Sequence, residues 1–178
     1  MANHKIFTWT RVHSVSNTFQ FDLSPNLTGT LKRKGLWSAD GYGEVGPRKW
    51  SFRSNGKANM NLSIIEDKSH EEIGKLEFYW KDFQKSKLIL KSGRTYYFSS
   101  QELLRGVWGW VREGQAEHQF TFSVDTPFHR GGTIGSATKE IPAEERDILL
   151  LLGLHLQHYL NIWLLTLIVV ILAVVSGR

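Results

Sequence analysis

The sequence predicts a mainly β domain, an antiparallel sandwich or a closed barrel, followed by one very apolar helix. Two observations carry this. Before residue 140 the chain is a succession of short runs in which apolar and polar residues alternate, split by Gly, Pro, Asn, Asp or Ser. That spacing suits antiparallel strands rather than βαβ units. From Ile148 to Val175 no side chain carries a formal charge over 28 residues.

Taken in order, Ile6 to Val12 reads as a strand with Phe7 and Trp9 on one face. Thr18 to Leu23 alternates, with Phe19, Phe21 and Leu23 inward and Thr18, Gln20 and Asp22 outward. Pro25-Asn26 breaks that run before Leu27 to Lys34. Trp50 and Phe52 mark one strand, and Met60, Leu62 and Ile64 another. The turn at Asp67-Lys68-Ser69-His70 leads into Ile73 to Trp80, where Leu76, Phe78 and Trp80 share a face. Lys85 to Leu90 and Thr95 to Phe98 form a hairpin around Ser92-Gly93, and Val107 to Val111 pairs with Gln119 to Val124 across Glu113-Gly114. In this region only Gln101 to Arg105 has the look of a helical turn.

Gly41-x-Gly43-x-x-Gly46 has dinucleotide-loop spacing but lacks the preceding strand and following helix, so it reads as a β-turn. Its pattern of an acidic turn, a Glu, a β-branched residue and a Gly returns at Asp67 to Gly74. Gly131-Gly132-Thr133-Ile134-Gly135 echoes the last part. Glycine after a β-branched strand residue suits a place where strands bend around something.

The helix has a marked start. Pro142 suits a first turn, and Glu144, Glu145 and Asp147 suit the positive end of the helix dipole. Ile148 to Val175 would be about 42 Å long at roughly 1.5 Å per residue, against about 30 Å for a bilayer's hydrocarbon core. Its first half contains Gly153, His155, Gln157, His158 and Asn161, and Thr166 alone interrupts the second. The expected division is a β domain over 1–143 and a hydrophobic helix over 144–178. Ile148, Leu149, Leu152, His155, His158 and Trp163 are the candidate residues of a core or membrane helix.

The chain carries a net charge of +5. Glu144, Glu145, Arg146, Asp147 and Arg178 contribute a net −1, so residues 1–143 carry +6. A basic domain joined to an apolar helix suits an anionic membrane surface better than nucleic acid. Lys32, Arg33 and Lys34, together with Lys85, Lys87, Lys91 and Arg94, are candidates for a head-group patch, the last four clustered on one hairpin. Trp108 and Trp110 are candidates for an interface belt.

Cysteine is absent, which excludes disulfides, thiolate nucleophiles and Cys-based metal sites. His155 and His158 are spaced i, i+3, but no third ligand is near in sequence, so a packed pair is expected and no metal or cofactor. Neither a G-x-S-x-G elbow nor H-E-x-x-H occurs, and no enzyme is expected. Gly35-Leu36-Trp37 matches the short lipocalin signal, which leaves a ligand-carrying calyx as a minor alternative. The N-terminal MANHKIFTWTRVHS has no apolar signal core, so the β domain is expected in the cytoplasm.

Three features together carry a family resemblance: the two-turn pattern above, Tyr96-Tyr97-Phe98 followed by Trp108-Gly109-Trp110, and Arg146-Asp147-Ile148-Leu149-Leu150-Leu151. Over roughly residues 5–161 the chain resembles the tubby C-terminal-like superfamily, which includes LURP-one-related and phospholipid scramblase-like domains. The resemblance implies a closed antiparallel barrel of ten to twelve strands threaded by its C-terminal helix, with Asp147 to about Leu160 as the threaded part. The chain departs from that pattern in the apolar residues after Asn161, which would leave the barrel and reach a membrane. The function this implies is non-enzymatic: a membrane-associated barrel binding lipid head groups or a protein partner. The alternative is a single-pass, C-terminally anchored protein whose cytosolic β scaffold is merely tethered.

Overall fold

The computed structural model of the chain describes residues 5–12, 17–35, 37–55, 61–79, 85–102, 107–124, 131–136 and 141–176. Twelve strands form one sheet: β1 (Lys5–Arg11), β2 (Thr18–Ser24), β3 (Leu27–Arg33), β4 (Gly41–Val45), β5 (Arg48–Ser54), β6 (Leu62–Glu66), β7 (Glu72–Glu77), β8 (Lys87–Leu90), β9 (Thr95–Glu102), β10 (Val107–Arg112), β11 (His118–Val124) and β12 (Gly131–Ser136). Each strand is antiparallel to its sequence neighbours. Pairing of β1 with β12, from Lys5↔Ser136 to Thr10↔Gly131, closes the sheet into a barrel. Closure leaves no unpaired sheet edge.

Alternation is what makes these segments strands. In β2, Phe19 and Phe21 are buried while Gln20 and Asp22 are exposed. Trp50 and Phe52 of β5, Trp108 and Trp110 of β10, and Phe120 and Phe122 of β11 likewise point inward. A barrel of this strand number is too wide for wall side chains alone to fill. The helix α1 (Ala143–Ser176) runs through it. Every residue from Asp147 to Leu160 is buried, including Ile148, Leu149 and Leu152. A helix satisfies its own backbone polar groups, so it can occupy an apolar interior without orphaning them.

Because the strands run up and down in sequence order, alternate turns gather at the same end. The proximal mouth, where α1 begins, carries the β2–β3, β4–β5, β6–β7, β8–β9 and β10–β11 turns. The distal mouth, where α1 leaves, carries the β1–β2, β3–β4, β5–β6, β7–β8, β9–β10 and β11–β12 connections.

The structure departs from the sequence reading in two strands. Gly41 to Val45 is β4, not a turn, and the turn is Gly46, with φ of 55°. Gly43 faces the helix: a Cβ there would lie 2.8 Å from Leu151 Cδ1. Glycine is thus the groove into which Leu151 packs, so β4 lacks the apolar alternation of its neighbours. Gly131 to Ser136 is likewise a strand, β12, with only Ile134 as a large inward residue. Gln101 and Glu102 continue β9 rather than starting a helical turn. Met60, Trp80 and Leu103 to Arg105 lie outside the described residues.

Candidate functional site

The helix is held in register at the proximal mouth by two buried carboxylates of its first turns. Glu145 accepts hydrogen bonds from Arg94 Nη1 at 2.6 Å, Ser92 Oγ at 2.9 Å and Tyr96 Oη at 2.9 Å. Tyr96 is consequently pushed up in pKa, first by burial and then by its bond to Glu145. Asp147, fully buried, pairs with Arg48 Nη2 at 2.5 Å and with Arg146 Nη2 at 2.8 Å. Burial raises its pKa, against the two arginines that pull it down. Farther in, the indole Nε1–H of Trp110 donates to the Leu149 carbonyl at 2.8 Å.

Toward the distal mouth the buried helix surface turns polar and aromatic. His155 Nε2 lies 2.7 Å from the Ala39 carbonyl in the β3–β4 connection. A carbonyl only accepts, so Nε2 carries a proton and donates it. Burial, then the nearby Arg33 charge, pushes His155 down to about 3. His158 packs edge-on between Trp9 and Phe19, with ring centroids 4.6 and 4.0 Å away. Its pKa is lowered by burial and then by Arg11 and Arg33. The two histidines therefore face different wall segments, one β3–β4 and the other β1–β2. Among the described residues no group of three or more His, Asp or Glu converges as a metal site.

Arg33 is buried at the end of β3, donates from Nη2 to Ser38 O at 3.2 Å and stands over the Tyr159 ring at 5.7 Å. Burial lowers its pKa to about 10. One helical turn on, Trp163 meets Trp37 of the β3–β4 connection in an edge-to-face pair with centroids 5.4 Å apart. Both rings are partly open to solvent, at 40% and 49%. There the burial of α1 ends.

Beyond Trp163 the helix projects. Leu167 to Ser176 are all exposed, and the apolar side chains are spread around the whole circumference. The helix is long and apolar enough to cross a membrane by length and composition, and only 11% of its most apolar window is buried. A core helix of a soluble protein would be mostly covered.

The two mouths differ in charge. Among residues whose side chains are described, the distal end carries Arg11, Lys32, Arg33, Lys34, Arg53, Lys85 and Lys87 against Asp40 and Glu77, while at the proximal end acids outnumber bases. A cleft of about 410 Å³ opens on the outer wall at the distal end. Lys32, Arg33, Lys34 and Arg53, with Tyr42, Ser51, Phe52, Gly41 and the carboxylate of Asp40, line it. Asp40 accepts from both the backbone N–H and the Oγ of Ser54 at 2.8 Å, and from Lys34 at 3.5 Å.

The structure does not gather the hairpin cations of the sequence reading into one patch. Lys85 and Lys87 belong to the distal half, and Lys91 and Arg94 to the turn at the proximal mouth. Lys87 pairs with Glu77 at 3.3 Å, Lys91 with Glu71 at 2.6 Å and Arg94 with Glu145. Trp108 and Trp110 are 1% and 0% exposed, inside the barrel, so they form no interface belt, whereas Trp37 and Trp163 are partly exposed at the distal mouth. Trp37 lies on the mouth and α1 fills the interior, so the Gly35-Leu36-Trp37 signal does not mark a calyx. The sequence reading named Lys34 in its basic run but missed Arg53, which lines the same cleft, and Trp37, which meets Trp163. Sorting the charges by alternate turns of an up-and-down sheet would have placed Lys34 and Arg53 at one end.

In comparisons with known proteins, no family model, curated protein or solved structure matches the chain.

Proposed function

We propose that this protein is a non-enzymatic β-barrel module held at a membrane by the outer half of its own core helix, with the basic distal mouth turned toward anionic head groups. One observation carries the reading: α1 leaves the barrel apolar on all sides, at the mouth that holds the excess of cations. A helix bound in a protein groove usually keeps a polar face, whereas one apolar all round suits lipid. Cations near an anionic leaflet add attraction that fades within a Debye length of about 8 Å at physiological salt.

The cleft at Lys32, Lys34 and Arg53, with the Tyr42 and Ser51 hydroxyls, has the donors a phosphate-bearing head group needs. Lys91 and Arg94 face away from the membrane in this orientation. A twelve-strand barrel threaded by an apolar helix is the architecture the likeness to the tubby C-terminal-like superfamily implies, and we propose that the chain is a member with its barrel on the cytoplasmic side. Burial of Asp147 to Leu160 argues against a helix that only tethers.

Flotation with phosphatidylcholine vesicles, with and without phosphatidylserine, tests the reading. The triple variant Lys32→Glu, Lys34→Glu, Arg53→Glu should lose the preference for anionic vesicles, more at low salt than at high, while Lys91→Glu keeps it. Equal flotation of the triple variant and the parent on both vesicle types would refute the head-group part.

A further inference from the structure

Among the described residues of the barrel, four large apolar side chains are left exposed: Ile6, Val12, Trp37 and Tyr79. Three of them stand at the distal mouth. Val12 follows the distal end of β1, Trp37 lies between β3 and β4, and Tyr79 follows the distal end of β7. In the closed ring of twelve strands, β1 and β7 are six places apart, so Val12 and Tyr79 stand on opposite sides of the mouth. Trp37 lies between them along one arc. Trp163, paired with Trp37, joins this rim to the helix emerging at the centre.

From this placement we infer that the distal rim is a seat on the lipid–water interface, and that the barrel stands upright on the membrane with its axis along the bilayer normal. A flat surface that touches opposite sides of a mouth, a third point between them and the helix in the middle can only lie across the barrel axis. Trp and Tyr favour the interfacial layer because one part of each ring system is apolar and the other polar. Tyr79 fits this: it is 45% exposed and its hydroxyl is held by Glu77 Oε2 at 3.2 Å. The rim cations Lys34 and Arg53 lie at the level of head groups when the aromatic rings rest just below them. Ile6, by contrast, lies near the proximal mouth, and an upright barrel keeps it in water.

The rigidity of the arrangement matters. A tether leaves a domain free to tumble, but α1 is continuous from the buried core to the lipid-facing tail and is locked at its start by Glu145 and Asp147. The helix fixes the barrel's axis, and the rim fixes its height. The outer wall and proximal turns are then presented to the aqueous phase in one orientation.

The inference rests on the membrane reading above, and its test separates the two. The chain has no cysteine, so single substitutions Val12→Cys, Tyr79→Cys and Ile6→Cys can each carry an environment-sensitive fluorophore at an already exposed position. Each labelled full-length protein is floated on phosphatidylcholine–phosphatidylserine vesicles, and quenching by lipids spin-labelled near the head group is read in the bound fraction. The expected result is a blue shift and loss of fluorescence at both Val12→Cys and Tyr79→Cys, with neither at Ile6→Cys. Flotation with quenching at one rim position only, or at Ile6→Cys, means a tilted or side-lying barrel and overturns the upright seat while the membrane reading stands. Failure of all three to float overturns both.

Discussion

The hydrogen bond from Trp110 Nε1–H to the Leu149 carbonyl, 2.8 Å long and fully buried, ties the barrel wall to the helix that fills it. Next to it the fit is close enough to invert an ordinary rule. A Cβ at Gly153 would fall 2.2 Å from Phe122 Cζ and 2.7 Å from Trp110 Nε1. In an exposed helix, Gly to Ala gains about 1 kcal/mol.

Here Gly153→Ala is expected to destabilise, in the range of about 1–3 kcal/mol typical of overpacking. A thermal melt decides it. An unchanged or higher Tm would mean the helix does not lie against Trp110 and Phe122.

The proximal latch gives a second expectation. Arg48→Ala leaves the fully buried Asp147 carboxylate with Arg146 alone, and the loss should be of the order of a charged hydrogen bond, about 1.5–3 kcal/mol by denaturant melt. Lys91→Ala removes a solvent-exposed pair with Glu71 and should leave the melt unchanged. Equal effects from the two changes would show that the buried latch is not special.

These features were unevenly legible in the sequence. The helix followed from 28 uncharged residues, though they left open whether lipid or the barrel covers it, and β2 followed from its plain Phe19–Phe21–Leu23 alternation. Strand β4 was hidden because two of its three inward positions are Gly41 and Gly43, whose missing side chains make room for His155 and Leu151 on another element, and only Val45 is apolar. Strand β12 was hidden for a related reason: Gly132 faces Trp9, so the pairing partner supplies the bulk. The distal rim combines Val12, Trp37 and Tyr79 from connections with Arg53 from the end of β5, all far apart in the chain. No local pattern marks them, because only the closure order of the sheet makes them neighbours.

A third prediction concerns pH. His155 is neutral in the fold, with its pKa lowered from 6.5 to about 3 by burial and Arg33. A group whose folded pKa is depressed contributes stability above its unfolded pKa, and that contribution is lost as pH falls from 6.5 toward 3. Asp147, whose pKa is raised by burial, works in the opposite direction: its contribution is present below its ordinary 3.8 and lost as pH rises through the raised value. His155→Gln keeps a donor toward Ala39 O and removes the titration. Between about pH 7 and about pH 5 the parent should lose more stability than this variant. Equal losses would locate the acid sensitivity elsewhere.

The strength of the proposed membrane attachment follows from how much helix is free. Trp163 to Val175 spans about 20 Å at roughly 1.5 Å per residue, short of the roughly 30 Å hydrocarbon core. With the barrel retaining α1 up to Leu160, alkaline carbonate should release this chain from membranes. Carbonate-resistant retention would mean that the helix withdraws from the barrel to span.

The proposed double role of α1, as core of the barrel and as lipid anchor, is tested most directly by comparing chains ending at Arg146, at Asn161 and at Arg178 for cooperative melting and for flotation with vesicles. Removing eight or more buried Leu and Ile side chains forfeits on the order of 12–24 kcal/mol, more than the about 5–15 kcal/mol that holds a domain folded. The chain ending at Arg146 should therefore be unfolded or aggregated. The chain ending at Asn161 should melt cooperatively but float weakly, and the full chain should do both. A cooperative melt for residues 1–146, or undiminished flotation for residues 1–161, would contradict the account.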